Sequence, residues 1–241
     1  MTAARDDGLR RDIDRVTDEL AVVEELVELD HKRILDLGCG RALHTRAIAA
    51  AGAGRDVLAL EVDEVQHRRN LELGDLPNLR FGIGGAEQIP APDGCFDVVF
   101  LFKSLHHVPV VCMDEALEEV ARVLVPAGVA YVSEPLFRGA YNDVLRIFHD
   151  EGEVRRAASA AMDRALARGV LELVAQEFFC APLRFRGFEE FEELVIGATH
   201  SAHALSDEQR ERTRAAFSRH QREGGAEFAQ PIRVDLLRRP S

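Results

Sequence analysis

The sequence predicts an α/β protein in which a mostly parallel sheet is covered by helices on both faces. From about residue 33 to residue 135, short apolar segments alternate with longer segments of helical periodicity, an order typical of βαβ units. The apolar segments are nearly continuous, as in strands that are buried on both faces. After Pro135 the pattern becomes helical, which predicts a helical insertion following the fifth strand.

The predicted elements follow one another in a simple order. Residues 10–29 place apolar side chains near helical spacing and predict an amphipathic helix. The five predicted strands are RILDLGCG, DVLALEVD, LRFGIGG, CFDVVFLFKS and GVAYVSEP. The helices predicted among them are ALHTRAIAAAG, EVQHRRNLEL and DEALEEVARVLV.

The C-terminal part predicts two further strands. Residues 140–177 read as helices almost throughout, and QEFFCAPLRFRGF and PIRVDLLRRP then read as strands that would complete the sheet as an antiparallel pair. Pro231 stands at the start of the second of these strands, a position suited to strand entry or a sheet edge. Ser206 and Gln209 have the capping-box spacing that opens a helix. The Phe-rich stretch between residues 178 and 191 predicts core packing.

Composition and charge narrow the class of partner. The chain has 42 acidic and 30 basic residues and a formal net charge of −12, which argues against nucleic acid, because such binding depends on neutralising phosphates. No apolar run approaches the roughly 20 residues that span a bilayer, and the charged N-terminus lacks a secretory signal pattern. The four cysteines form no CxxC pair, as expected of reduced thiols. We therefore expect a cytoplasmic protein with a small-molecule partner, without nucleic acid or membrane.

A glycine-containing turn follows the first predicted strand. Gly38 and Gly40 let the backbone approach a ligand closely, but Leu43 stands where a dinucleotide fingerprint needs its third glycine or alanine. Asp36 precedes the glycines, where a carboxylate would repel a pyrophosphate. S-adenosylmethionine has no phosphate and carries an ammonium and a sulfonium, which this acid would favour.

A second acid lies at the end of the second strand. Glu61 follows Gly40 by 21 residues, close to the spacing expected of a carboxylate that binds ribose hydroxyls. Asp63 is the alternative. The sequence therefore predicts a nucleoside cofactor with a positively charged amino-acid end.

Five ordered motifs now resemble one family. The motifs are similar to successive motifs of the class I S-adenosylmethionine-dependent methyltransferases, and the match is closest to the small-molecule subgroup that includes the ubiquinone-biosynthesis methyltransferases. They are ILDLGCG, the Glu61 strand end, GGAEQIP, FDVVFLFKSLHHV and EEVARVLVPAGVAYVSEP. The resemblance covers residues 33–135 and implies a Rossmann-like seven-stranded sheet with a reversed terminal hairpin.

The resemblance also implies a division of the chain. Residues 1–32 would provide an N-terminal helix covering the cofactor site, and residues 33–135 the cofactor-binding core. Residues 136–177 would form a helical lid, and residues 178–241 would complete the sheet.

Cofactor contacts follow from the same resemblance. Asp36 and the glycine loop would line the methionine end of the cofactor, and Glu61 would hold the ribose. Residues after the third strand would border the adenine, and residues after the fourth strand would face the cofactor from its other side. The full set is Asp36, Gly38, Cys39, Gly40, Glu61, Val62, Ala86, Glu87 and Lys103. Two positions depart from the family pattern: Ala42 replaces the third glycine, and Gly85 replaces the acid that commonly binds the adenine amine. Glu87 or a backbone carbonyl would substitute for that acid.

The candidate catalytic residues are His106, His107 and Glu134. The histidine pair follows the fourth strand and Glu134 ends the fifth, so all three lie at the carboxyl edge, where open α/β sheets bind ligands. A histidine suits a general base at neutral pH, and in similar small-molecule methyltransferases one of this pair can serve so. The alternative is structural: His106 would cap the next helix or pack beneath the cofactor, and Glu134 would cap a helix or form a salt bridge.

Other histidines carry weaker hypotheses. His149 and Glu151 in the insertion would contact substrate or join the histidine pair in a metal site, but their spacing matches no metal template, and we predict no metal. His200 and His203 are expected in a surface loop.

The preferred function is methyl transfer, by in-line displacement, to O, N or S of a small molecule. The alternatives are a protein or RNA methyltransferase and a binding module without catalysis. FKSLHH stands where amino-methylating nucleic-acid and protein enzymes carry an Asn/Asp-Pro-Pro-Tyr motif, which disfavours that alternative. The identity of the acceptor and the oligomeric state stay open, with a homodimer as one alternative.

Overall fold

The computed structural model describes residues 5–197 and 205–241. The helices are α1 (Glu19–Leu26), α2 (Leu43–Ala50), α3 (Glu64–Leu71), α4 (Met113–Val123), α5 (Ala140–Leu145), α6 (Gly152–Ala167), α7 (Phe188–Phe191) and α8 (Asp207–Ser218). The strands are β1 (Arg33–Leu37), β2 (Asp56–Glu61), β3 (Leu79–Ile83), β4 (Phe96–Phe102), β5 (Leu124–Pro135), β6 (Glu172–Phe185), β7 (Gln221–Arg222) and β8 (Gly225–Arg238). His200 and His203 lie outside the described residues.

One sheet organises these elements in the order β3-β2-β1-β4-β5-β8-β6. The strands β1 to β5 pair in parallel, whereas β8 runs antiparallel between β5 and β6. The two-residue β7 pairs with β8 alone and adds an eighth strand to the seven expected. The predicted mostly parallel sheet and its reversed terminal pair are confirmed.

Helices cover both faces of the sheet, as β1 illustrates. Leu35 and Leu37 point into a core shared with α4 and α6, while Ile34 points into a second core shared with α1 and α2. Because side chains alternate along a strand, Asp36 lies on the same face as Ile34. The acid at the carboxyl end of β1 therefore faces the two N-terminal helices.

The N-terminal helix is shorter than predicted, because residues 10–18 are not helical. This segment instead runs along β6: the Cys180 amide donates to the Arg15 carbonyl at 2.8 Å, and the Thr17 amide donates to the Cys180 carbonyl at 3.1 Å. An uncovered edge strand leaves its backbone groups unpaired. Covering the edge of β6 therefore outweighs the helical periodicity of residues 10–18.

The helical prediction for residues 140–177 is wrong at its C-terminal end. α6 ends at Ala167, and residues 172–177 belong to β6, where pairing with β8 supplies their backbone partners. Pro231 lies inside β8 opposite Cys180 instead of starting the strand. It is tolerated because β5 pairs with β8 only as far as Ile232, so no neighbouring strand needs the missing amide.

A third core lies under α5, α7 and α8 and is rich in aromatic rings. The predicted core phenylalanines are all buried: Phe178, Phe179, Phe185, Phe188 and Phe191. The capping box of Ser206 and Gln209 is present at the start of α8. Among the described residues, no helix has both the length and the apolar character needed to cross a membrane.

Phe217 tests this aromatic core. Its ring is 0% exposed and lies 5.2 Å, between centroids, from that of Phe191. Phe217→Ala is expected to lower the free energy of unfolding by about 3–5 kcal/mol, measured by urea denaturation. Val111→Ala is the control, because that side chain is 88% exposed. Equal losses in the two variants would contradict the assignment of Phe217 to the core.

Candidate functional site

The glycine loop connects β1 to α2 through left-handed backbone. Gly38 has a φ of +71°, and a Cβ at this position would lie 2.8 Å from the Cβ of Ser104, so only glycine fits. Gly40 has a φ of +51°, with no atom within 4 Å of where its Cβ would lie. Ala42 takes a φ of +55°, at a cost of roughly 1–2 kcal/mol. The turn is therefore kept without the third glycine, and the space beside Gly40 is open.

Asp36 presents a buried carboxylate beside this loop. The side chain is 2% exposed, and its Oδ2 accepts a hydrogen bond from Thr45 at 2.5 Å. Its Oδ1 is buried without a hydrogen-bond partner. Burial raises the pKa of Asp36 to about 7, with the charges of Glu61 and Glu19 adding to the shift and Thr45 opposing it. A cationic donor at Oδ1 would satisfy the unpaired oxygen and favour the charged form.

Glu61 holds the glycine loop and the end of β2 together. Its Oε2 accepts from the Gly40 amide at 2.7 Å, and its Oε1 accepts from the amides of Val62 and Asp63 at 2.9 and 3.0 Å. Asp63, the alternative ribose acid, caps α3 by accepting from the Val65 amide at 2.8 Å. Glu61 is therefore attached directly to the glycine loop, whereas Asp63 is attached to the start of α3.

The region after β3 explains how Gly85 replaces an acid. The carboxylate of Glu87 folds back so that its Oε2 lies 2.5 Å from the position a Gly85 Cβ would take. Glu87 thus fills the volume of the missing side chain. Ala86 is buried, whereas Val62 across the edge is 62% exposed, leaving an apolar surface of the kind that an adenine ring could cover.

Lys103 is paired with an acid from the N-terminal helix. Its Nζ donates to Oε2 of Glu19, which is 3% exposed. The Nε2 of His44 lies 3.9 Å from the same oxygen. Burial and the Lys103 charge lower the pKa of His44. Lys103 therefore lies at the carboxyl edge of the sheet, as predicted, and its positive charge is balanced by Glu19.

Cys39 does not have the properties of a nucleophile. Burial raises the pKa of the Cys39 thiol, and the charges of Asp36 and Glu61 raise it further. The Asn70 amide lies 3.5 Å from its Sγ. The thiol therefore stays protonated at neutral pH, which supports reading Cys39 as a packing residue beside the cofactor site.

His106 lies between two buried carboxylates. Its Nδ1 is 2.5 Å from Oε2 of Glu134, and its Nε2 is 3.6 Å from Oε1 of Glu151. Burial opposes the charged form, but the two acids outweigh it and raise the pKa of His106 to about 9. Burial also opposes charge on Glu134, yet His106 lowers the pKa of that acid. The ring is therefore an imidazolium at neutral pH, with both nitrogens engaged.

Glu151 ties the insertion to this pair. It follows α5 and directly precedes α6, where Arg155 donates to its Oε2 and His149 lies 2.9 Å from its Oε1. His106, the exposed His107 and Glu151 offer ligand atoms within 4.8 Å of one another, close enough to share a cation. Arg155 and His149 already balance the charge of Glu151, so the arrangement is explained by ion pairs.

Sequence reasoning missed Glu19 and Arg155. Glu19 precedes Val23 by four residues and therefore lies on the apolar stripe of the predicted helix. An acid on a buried helix face was the available signal. Arg155 sits among other charged residues in the insertion, and nothing in its spacing distinguished it from a solvated side chain.

Comparison with known proteins finds similarity to methyltransferases. Residues 34–128 match the family described as a methyltransferase domain. The chain is 31% identical to 27-O-demethylrifamycin SV methyltransferase of Amycolatopsis mediterranei, over 73% of this chain and 60% of the relative. It is 28% identical to the ubiquinone/menaquinone biosynthesis C-methyltransferase UbiE of Rickettsia bellii, over 57% of this chain and 59% of the relative. The chain thus spans about three fifths of the length of these curated relatives.

A solved structure shares the whole fold. A Bacillus halodurans protein provisionally described as a methyltransferase superposes with a TM-score of 0.63, covering 92% of this chain and 99% of that one at 17% identity. Identity this low shows the fold alone. The domain match and the curated relatives confirm the resemblance to class I S-adenosylmethionine-dependent methyltransferases, and the solved structure supports the fold. S-Adenosylmethionine is the cofactor of that class.

The residues present fit this cofactor. The unpartnered oxygens of Asp36 and Glu19 are buried acceptors that an ammonium could satisfy. The open space at Gly40 admits a ligand beside Glu61.

The His106 ion pairs predict a pH-dependent stability. A folded-state pKa of about 9 exceeds the ordinary histidine value of about 6.5, so the stabilisation is complete below pH 6.5 and is lost as pH rises through 9. Urea unfolding should show His106→Gln less stable than the wild type at pH 6.5 by on the order of 3 kcal/mol, with little difference at pH 9.5. The exposed His31→Asn variant is the control. A gap that does not change between these pH values would contradict the assignment.

Proposed function

We propose that this chain is an S-adenosylmethionine-dependent methyltransferase that transfers the methyl group in line to O, N or S of a small molecule, with a hydroxyl as the preferred acceptor. The observation that carries the proposal is the buried Asp36 carboxylate, whose free oxygen lies beside an open glycine loop. An oxygen acceptor is supported by the name of the Amycolatopsis relative, a methyltransferase whose named substrate, 27-O-demethylrifamycin SV, lacks an O-methyl group.

The cofactor side is assigned to the β1–β3 edge. When bound, S-adenosylmethionine supplies a methyl group activated by its sulfonium. Asp36 and Gly38 would hold the amino-acid end, and Glu61 would accept from the ribose hydroxyls. Val62 and Glu87 would border the adenine. Glu61 is held by three backbone amides and Asp36 by the Thr45 hydroxyl, so this part of the site is formed before binding.

The acceptor side is assigned to the β4–β5 edge. His106 is a poor base because its pKa is raised to about 9 and both ring nitrogens face carboxylates. His107 occupies the next position of the same turn, is exposed, and has its ring centroid 4.1 Å from that of His106. We therefore infer that His107 removes the acceptor's proton, while His106 and Glu134 position the turn.

The flanking segments cover the two sides of this site. Glu151 brings the start of α6 to His106, which supports the insertion as a lid over the acceptor. Glu19 brings α1 to Lys103, which supports the N-terminal helix as a cover for the cofactor.

Turnover of methyl-labelled S-adenosylmethionine with a fractionated metabolite extract tests the function. Label recovered in small molecules on O, N or S supports the proposal, and label in hydrolysis-resistant methyl ethers supports a hydroxyl acceptor. Label in protein or RNA, or on a carbon of the product, would overturn the acceptor class. Cofactor binding without turnover in any fraction would favour a binding module.

Glu61 is expected to govern cofactor affinity. Glu61→Gln keeps the shape of the side chain but removes its charge, and charge-assisted hydrogen bonds contribute about 1.5–3 kcal/mol. Calorimetry should show S-adenosylhomocysteine binding at least tenfold more weakly. Glu64→Gln, an exposed acid in the first turn of α3, should bind as the wild type does. Equal affinities of the Glu61→Gln and Glu64→Gln variants would contradict the assignment of Glu61 to the ribose site.

His107 is expected to govern turnover instead of affinity. If it is the base, His107→Ala lowers kcat by about 10²–10⁴ and changes S-adenosylhomocysteine affinity less than twofold. His31→Asn is again the control. A kcat that stays within a factor of three would contradict base catalysis by His107 and would favour an acceptor that needs no deprotonation.

A further inference from the structure

An ion pair between α1 and the end of β4 stands beside the proposed methionine site. Lys103 donates to one oxygen of Glu19, and the other oxygen of Glu19 is buried without a hydrogen-bond partner. Glu19 is 3% exposed, while the Lys103 side chain is 29% exposed. Burying a carboxylate with one oxygen unsatisfied costs free energy, so an additional donor would be favoured there.

The backbone holds Lys103 in place at a cost. Its φ of +53° is left-handed although the residue has a side chain, and such conformations persist only where the surroundings enforce them. The Lys103 amide donates to the Ser133 carbonyl at 2.9 Å, which fixes the turn. The side chain is thereby directed from the sheet edge toward α1.

Asp36 faces the same region. Its Oδ1 is also buried without a partner, and the charge of Glu19 is close enough to raise the pKa of Asp36. Two buried carboxylates thus each present one free oxygen, while Lys103 provides a single ammonium. An alkylammonium ligand carries three donors and could serve both acids.

We propose that Glu19 binds the α-ammonium of the cofactor together with Asp36, while Lys103 releases Glu19 and binds the α-carboxylate. This inference rests on the proposed function, since it concerns how that cofactor is held. The ion pair occupies the site with one positive and one negative group, as the zwitterionic end of the cofactor would. Binding then exchanges one set of charge pairs for another, without leaving either protein charge buried and alone.

Selectivity for the amino-acid end follows from this arrangement. A nucleoside such as 5′-methylthioadenosine has neither the α-ammonium nor the α-carboxylate, so its binding leaves the ion pair between Glu19 and Lys103 intact. S-Adenosylhomocysteine offers both groups. Loss of Glu19 should therefore lower the affinity for S-adenosylhomocysteine and leave the affinity for 5′-methylthioadenosine unchanged.

Calorimetry on the full chain with both nucleosides tests the proposal. The variants are Glu19→Gln, Lys103→Met and the control Glu25→Gln, which lies on the same helix but is exposed and paired with Arg15. We expect Glu19→Gln and Lys103→Met each to lower the affinity for S-adenosylhomocysteine at least tenfold. Both should change 5′-methylthioadenosine affinity less than twofold, and Glu25→Gln should change neither.

Three results would overturn the proposal. Unchanged or tighter S-adenosylhomocysteine binding by Glu19→Gln would mean that Glu19 only neutralises or blocks Lys103. An equal loss of both nucleosides would mean that Glu19 merely supports the fold. Failure of the wild type to bind either nucleoside would overturn the proposed function as well, and differs from a failure confined to the Glu19 variant.

Discussion

Buried negative charge at the carboxyl edge of the sheet is the constraint on which the rest of the site depends. Asp36 and Glu61 end two neighbouring parallel strands, and Glu19 reaches the same edge from α1. Each acid is compensated by a different group: Asp36 by the hydroxyl of Thr45, Glu61 by backbone amides of the glycine loop and of the residues after β2, and Glu19 by Lys103. Since two of the acids still carry an unpaired oxygen, the compensation is incomplete, and this side of the edge favours a ligand with positive charge.

At the β4–β5 end of the same edge, the buried acids are neutralised by basic side chains of the protein itself. Glu134 and Glu151 enclose His106, and Arg155 balances the second of these acids. Charges that are mutually paired at close range resist rearrangement, because removing one partner leaves another buried alone. This cluster is therefore suited to holding β5, the histidine turn and α6 in fixed positions, whereas the proton transfer proposed above needs the exposed neighbour, His107.

The sequence predicted the parallel core well because strand ends of a parallel sheet meet at one edge. Placing Asp36 and Glu61 on successive strand ends was enough to bring them together. Contacts between distant segments could not be predicted in this way. Residues 172–177 have no strand pattern of their own and become a strand by pairing with β8. Glu19 reaches Lys103 only because α1 packs on the sheet, and the one clue was its place on an apolar helix face.

The matched family region covers only part of the proposed acceptor side of the site. The methyltransferase domain match ends at residue 128 and includes the histidine pair, whereas Glu134, Glu151 and Arg155 all follow it in the chain. The groups assigned to the cofactor between β1 and β4 lie within the match. A family relationship therefore constrains the cofactor far more than the acceptor. Under the proposed function, the choice of acceptor would depend on how the insertion is anchored beside the histidine turn. Glu151 contacts His106 there, so a change at Glu151 would alter the position of the insertion relative to this turn while leaving Asp36 and Glu61 untouched.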